Sequence, residues 1–260
     1  MCTLAVMTRV LPGLPLVVAA NRDEFYARPA ERPTLLASEP TVIGGRDLVA
    51  GGSWLAVSSR EMVVGVLNRR STQPPDPTRK SRGELCVTLA RAESVEAAAA
   101  LLREVPPDAH NPFNILVADR SSAIVAQNRS EGVVVEELPP GTHLLSNLDL
   151  NDGTCPRISR SAQRFQALAT RFIETRDRSA LVAGLHEVLG DHLTALDDRA
   201  PTDQLCIHTD AFGTRSSSIL LADDRGGFRF LHSSRAPCQG SYRRVPLPWQ
   251  EEQTAAAHSA

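Results

Sequence analysis

The chain has 260 residues, 42% of them hydrophobic and 22% charged, which gives a globular domain with a sizeable core and excludes general disorder. Its 28 basic and 30 acidic side chains nearly cancel, for a formal charge of −2, so there is no electrostatic case for nucleic acid as a partner. No apolar run approaches the roughly 20 residues that span a bilayer, so membrane insertion is not expected, and with no secretory signal read at the start the expected location is cytoplasmic.

The first residues are Met1-Cys2-Thr3. Removal of Met1 gives Cys2 a free α-amine beside its thiol. An α-amine ordinarily titrates at about pH 8 and can serve as the base for the thiol. The other reading of Cys2 is a small apolar residue that opens a buried strand. Apolar runs over 4–10 and 14–20 flank Pro12-Gly13, the punctuation of a hairpin. Asn21-Arg22-Asp23-Glu24 follows at the predicted strand end, where four polar side chains form either a solvated turn or the edge of a site. The Pro- and Arg-rich stretch 28–40 predicts an irregular connection, a flap over that site. Strands over 54–57 and 62–67 form a second hairpin, and Gly51-Gly52 before Trp54 predicts a turn of close backbone approach that lines a pocket.

Leu85, Leu89, Ala92, Val95, Ala99 and Leu102 repeat at mostly three- and four-residue spacing, a helical pattern over 83–105. Ser94 within it is a candidate N-cap that divides the pattern into two helices. Strand patterns return at 113–118, 123–127, 133–136 and 142–145. Helices are predicted over 156–175 and 179–189, and strands over 217–222 and 228–231 around an Asp-Asp-Arg-Gly-Gly turn. Hairpin-linked strands with helices between the groups predict an α+β fold of antiparallel sheets covered by helices. One domain, 1–249, is expected, with a mobile tail over 250–260. The five cysteines and seven histidines form no CxxC, HxxxH or HExxH pattern, so neither a disulfide framework nor a metal site is expected.

Met1-Cys2-Thr3, Asn21-Arg22-Asp23-Glu24-Phe25-Tyr26 with Arg28-Pro29, Gly51-Gly52-Ser53-Trp54, Arg82-Gly83-Glu84, Phe113-Asn114, Ser146-Asn147 and Gly213-Thr214-Arg215 stand in an order that closely resembles the NRDE family, which includes the transport and Golgi organisation protein 2 proteins. The resemblance extends from residue 2 to about residue 235. It implies a four-layer αββα sandwich of the N-terminal nucleophile (Ntn) hydrolase type. A more distant similarity, to Ntn cysteine amidases such as bile salt hydrolases and penicillin V acylases, implies catalytic roles. Cys2 is then the nucleophile, Asp23 the anchor of its amine, Asn68 an oxyanion donor, Asn147 a positioning residue and Arg215 a charge favouring the thiolate. The amidases carry an Arg a few residues before the Asp; here the position three before Asp23 is Ala20, and the Arg is adjacent, at Arg22.

Two functions follow from the resemblance. One is a cysteine hydrolase that acts on an amide or acyl bond of a small amphiphilic or anionic substrate, with no cofactor required. The alternative is a non-catalytic carrier of haem, or of an acyl-CoA or lipid, on the same fold. In either case Asn21, Arg22, Glu24, Trp54 and Arg82 are the expected ligand-binding residues.

Overall fold

The computed structural model describes residues 2–193 and 204–250. Two antiparallel sheets are stacked face to face. The first is formed by β1 (Thr3–Leu11), β2 (Leu14–Phe25), β10 (Gly141–Leu145), β11 (Phe212–Ala222), β12 (Phe228–Ser233) and β13 (Arg243–Arg244), in the order β10-β1-β2-β11-β12-β13. The second runs in sequence order through β3 (Ala30–Ser38), β4 (Thr41–Asp47), β5 (Leu55–Ser58), β6 (Val63–Asn68), β7 (Phe113–Ala118), β8 (Ala123–Arg129) and β9 (Gly132–Glu137).

The two-residue period of the central strands accounts for the layering. In β1, Leu4 and Val6 face the other sheet and join a core with Val18, Val63, Leu67 and Leu116. Ala5 and Met7, between them, face the opposite way, into a core with Phe165, Phe172 and Leu185. These come from α3 (Pro156–Thr175) and α4 (Arg178–Leu189). On the far side, Val64, Val66, Ile115 and Val117 pack on Leu85, Leu89 and Leu102 of α1 (Arg82–Ala90) and α2 (Val95–Arg103). Strands buried on both faces read as continuous apolar runs, and each buried Leu, Val or Phe contributes about 1.5–3 kcal/mol relative to exposure. The result is the αββα sandwich. Among the described residues no helix is long and apolar enough to cross a membrane.

The helices begin where the sequence places their caps. Ser81 Oγ accepts from the amides of Gly83 and Glu84, and Ser94 Oγ accepts from Ala97 N at 3.1 Å. Ser94 therefore divides the 83–105 pattern into α1 and α2.

Two expectations need correction, and one strand was not predicted. The 28–40 stretch contains a regular strand: β3 pairs with β4 along the sheet edge, with register shifts after Glu31 and Leu35, and at an edge Pro33 breaks no ladder bond on a second neighbour. β4 itself carries no run that the sequence pattern picks out. The second correction is that β2 does not stop at residue 20 but continues to Phe25, so Asn21-Arg22-Asp23-Glu24 is strand, paired with β11 from Phe212 onward. The predicted tail, from residue 251 on, lies outside the described residues.

Candidate functional site

The end of β2 distributes its polar residues to two faces by strand alternation. Asn21 and Asp23 face the α3/α4 layer, and Arg22 faces the gap between the sheets. Asn21 is buried, and its amide donates to the carbonyls of Leu189 and Leu205, both at 2.9 Å. The structure therefore places Asn21 as a tie between β2 and the chain after α4, away from the inter-sheet mouth where a ligand-binding residue was expected.

Cys2 stands opposite this segment, since the β1–β2 register pairs Thr3 with Asn21. Its sulfur lies 3.4 Å from the Asp23 amide nitrogen and 3.5 Å from the Asp23 carbonyl oxygen. Burial pushes the thiol pKa up and the Asp23 carboxylate adds to the rise, while Arg22 opposes it. Without a base the thiol is held protonated. The Asp23 carboxyl is likewise raised by burial, against the pull of the Arg157 charge and a hydrogen bond from Thr214. Thr214 Oγ1 donates to Asp23 Oδ1 at 2.6 Å, and Arg157 Nη1 lies 3.8 Å from Oδ2, with both side chains of that ion pair fully sequestered.

Sequence reasoning did not assign Thr214 or Arg157. Thr214 lies inside the Gly213-Thr214-Arg215 motif, beside the residue that was singled out. Arg157 carried a signal in its position, a charge one turn before Ser161 on the stripe that α3 buries through Ile158 and Phe165.

Asn147 and Asn68 meet across the sheet ends. The β1–β10 register pairs Leu4 with Leu145, so the chain leaving β10 passes Cys2 at Asn147. Asn147 Nδ2 donates to the Asn68 carbonyl at 2.5 Å, and the Arg70 amide donates to the Asn147 carbonyl at 2.7 Å. Asn114 fixes the same turn by donating to the carbonyls of Ser146 and Leu148. The Asn68 side chain is exposed.

Arg215 occupies a bulge in β11, between the pairs Thr214–Asp23 and Ser216–Arg22. Its guanidinium donates to the carbonyls of Phe25, Tyr26 and Arg28. These contacts place it under the 25–28 turn, as a brace for Arg28, and not against the sulfur.

An arginine cluster forms the mouth between the sheets. Arg22 lies over the Trp54 ring, 4.4 Å from its centroid, and donates to Asp47 Oδ2 at 3.1 Å. Arg28 grips the same carboxylate through Nε at 2.7 Å and Nη2 at 3.1 Å. Glu24 lies 4.0 Å from Arg22 and 3.8 Å from Arg28. Burial works against the ionised Asp47, but the hydrogen bond from Arg28 and the amides of Val49 and Ala50 hold its pKa below the usual carboxylate range. Arg82, half-buried, donates to the Pro112 carbonyl at 2.9 Å. Its pKa is lowered by burial and by the Arg28 charge, with Cys2 and Glu24 on the stabilising side. Three guanidiniums against two carboxylates leave this mouth short of negative charge. Phe25, Tyr26, Leu48 and Val49, on the flanking segments, are exposed, which sets apolar side chains near a cationic cluster.

Close packing of glycines sets Arg82 there. Gly52, at φ +71°, approaches Gly83 so nearly that a Cβ would fall 2.0 Å from the Gly83 carbonyl carbon, and Ser53 N donates to Gly83 O at 3.0 Å. The Gly51-Gly52-Ser53-Trp54 and Arg82-Gly83-Glu84 segments are thus two halves of one contact.

A family model described as Transport and Golgi organisation 2 matches residues 1–236. The chain is 30% identical over 243 residues to the Transport and Golgi organization 2 homolog of Mus musculus, covering 84% of this chain and 86% of that protein. It is 24% identical over 258 residues to the Drosophila melanogaster Transport and Golgi organization protein 2, covering 85% and 87%. Among solved structures, penicillin V acylase from Agrobacterium tumefaciens aligns with a TM-score of 0.56 at 10% identity, over 90% of this chain and 83% of that one. A variant of conjugated bile acid hydrolase from Clostridium perfringens aligns at 0.55 and 11% identity, over 95% and 97%. At such identities the likeness shows the fold, which is that of the Ntn hydrolases.

Proposed function

Since this chain belongs to the Transport and Golgi organisation 2 family, we propose that its Ntn fold retains a cysteine hydrolase site, which opens an amide or acyl bond of a small amphiphilic anion through Cys2. The observation that carries this reading is the carboxyl of Asp23, buried under Thr214 and Arg157 on the residue whose backbone holds the Cys2 sulfur. The Arg157 charge and the Thr214 hydroxyl offset the cost of burying that carboxyl and hold it in place. Cleavage of the chain before Cys2 creates an α-amine at this place, and Asp23 anchors it.

The thiol is protonated in its buried setting, so the amine takes its proton as sulfur attacks the carbonyl carbon. The oxyanion that forms is stabilised by the side-chain amide of Asn68, whose backbone Asn147 holds. As the carbon–nitrogen bond breaks, the α-ammonium returns the proton to the leaving amine, leaving a thioester at Cys2. Water, deprotonated by the same amine, releases the acid and restores the thiol. Arg22, Arg28 and Arg82 bind the substrate's anionic group, and Phe25, Tyr26, Leu48 and Val49 receive its apolar part.

The test is intact mass and turnover together. Chain matured to begin at Cys2 is expected to hydrolyse members of a panel of N-acyl amides and acyl thioesters, with an acyl adduct trapped on Cys2, and Cys2→Ala to abolish both. No turnover by the matured chain, with tight haem or acyl-CoA binding that survives Cys2→Ala, would replace the hydrolase with the carrier.

A further inference from the structure

Beyond the hydrolase site, four side chains distant in sequence converge behind the start of β11. His192 follows α4, Cys206 and His208 precede β11, and Cys238 follows β12. One ligand atom from each lies within 4.8 Å of every other. Cys206 Sγ is 3.4 Å from Cys238 Sγ and 3.5 Å from His208 Nε2, and His208 Nε2 is 3.1 Å from Cys238 Sγ.

These separations can be compared with a coordination shell. Zn–S bonds of about 2.3 Å and Zn–N bonds of about 2.0–2.1 Å give tetrahedron edges of roughly 3.3–3.8 Å. The 3.4 and 3.5 Å separations fall in that range, the 3.1 Å one is slightly shorter, and His192 completes the set within 4.8 Å of the others. Thiols and imidazoles in a two-plus-two set form one of the common tetrahedral zinc sites.

The surroundings are those of ligands held for a metal. His192 Nδ1 lies 3.0 Å from the Cys206 carbonyl, the hydrogen bond that fixes an imidazole tautomer and leaves Nε2 as donor. His186 Nε2 meets the Pro237 carbonyl at 2.8 Å and steadies the loop of Cys238. The Cys206 amide donates to the Asp191 carbonyl at 2.9 Å, holding together the two chain segments that supply three of the ligands. His192 and Cys238 are exposed, so an ion has a path from solvent.

We propose that His192, Cys206, His208 and Cys238 bind one zinc ion as a structural Cys2His2 centre. On binding, the two thiol protons pass to solvent and the two thiolates balance the ion's charge. The centre ties three chain segments together. Its position is one hydrogen bond removed from the Asp23 environment, because the amide of Ile207, between two ligands, donates to Thr214 Oγ1 at 2.9 Å. This revises the sequence expectation of no metal, which rested on spacing along the chain, whereas here the ligands meet only through the fold.

The experiment uses the full chain, free of affinity histidines and purified under reductant. Metal analysis after dialysis is expected to give one zinc per chain. Replacement by Co2+ is expected to give the strong visible bands of a tetrahedral thiolate site. Cys238→Ser and His192→Ala, both at exposed ligands and each checked for native circular dichroism, should each weaken zinc binding by at least about 10-fold in competition with a chelator. Absence of bound zinc, a six-coordinate cobalt spectrum, zinc affinity indifferent to both substitutions, or a Cys206–Cys238 disulfide in reductant-treated protein would each overturn the proposal. None of these readouts depends on hydrolase activity.

Discussion

Thr214 Oγ1 donates a 2.6 Å hydrogen bond to Asp23 Oδ1, a contact between two residues 191 positions apart that face each other across β2 and β11. The same hydroxyl oxygen accepts from the Ile207 amide, so its single proton is directed at the carboxyl. Thr214→Val keeps the shape but leaves a buried carboxyl and a buried amide each short of a partner. The expected loss is about 1–3 kcal/mol of unfolding free energy, and Thr214→Ser should restore most of it. Urea denaturation of the three proteins checks this; a Thr214→Val protein as stable as the parent would remove the argument for Thr214.

Asp47 is the hub of the arginine cluster, accepting from both Arg22 and Arg28. Its pKa is below that of the unfolded chain, so its contribution to stability is fully present above the unfolded carboxylate range, near pH 4, and disappears as pH falls through the folded value. Asp47→Asn is therefore expected to cost about 1–3 kcal/mol at pH 7, and the difference from the parent should vanish in acid. Chemical denaturation of both proteins from pH 7 to pH 3 measures it, and a difference that grows toward low pH would contradict this account.

Most of the scaffold is legible in the sequence because both central sheets are buried on two faces, and such strands announce themselves as unbroken apolar runs. The sequence pattern fails where a strand is polar for a local reason. Asn21, Asp23 and Thr214 lie in regular strands because each has a buried partner from a distant segment. Likewise β3 tolerates Pro33 because it has only one neighbour. For the candidate site, the motif order already grouped the residues that the fold brings together, Cys2 with Asp23 and Asn68 with Asn147. Asp47 could not be read this way, since its partners are brought up only by tertiary packing, and the place of Arg157 on the buried stripe of α3 does not tell which carboxyl it meets.

His232 is buried and its pKa is lowered by that burial to about 4; Ser218 Oγ lies 3.0 Å from its Nδ1. A histidine that binds its proton less readily when folded gives stability that is complete above the unfolded value of about 6.5 and is lost as pH falls toward 4. At 1.36 kcal/mol per unit, the loss approaches about 3 kcal/mol. His232→Gln, which keeps a hydrogen-bonding group without a titration near neutrality, should flatten the stability profile between pH 6.5 and 4. Parallel slopes in the two proteins over that interval would assign the acid sensitivity elsewhere.

Gly51 and Gly52 separate two costs that glycine usually hides together. Both have positive φ, +66° and +71°, where any Cβ is strained by about 1–2 kcal/mol. At Gly51 the nearest atom to a Cβ is Glu84 Oε1, at 3.8 Å, so Gly51→Ala should cost only that strain. At Gly52 a Cβ meets the Gly83 carbonyl carbon at 2.0 Å and the Glu84 amide nitrogen at 2.3 Å. Both are backbone atoms at the start of α1, which no rotamer change can move aside, so overpacking adds about 1–3 kcal/mol. Gly52→Ala is thus expected to be clearly the worse of the two by thermal or urea unfolding. It should also displace the first turn of α1, and with it the Arg82 guanidinium from the mouth. Weaker binding of an anionic ligand by Gly52→Ala than by Gly51→Ala is the functional counterpart, and equal effects of the two substitutions would show that the contact with Gly83 does not position Arg82.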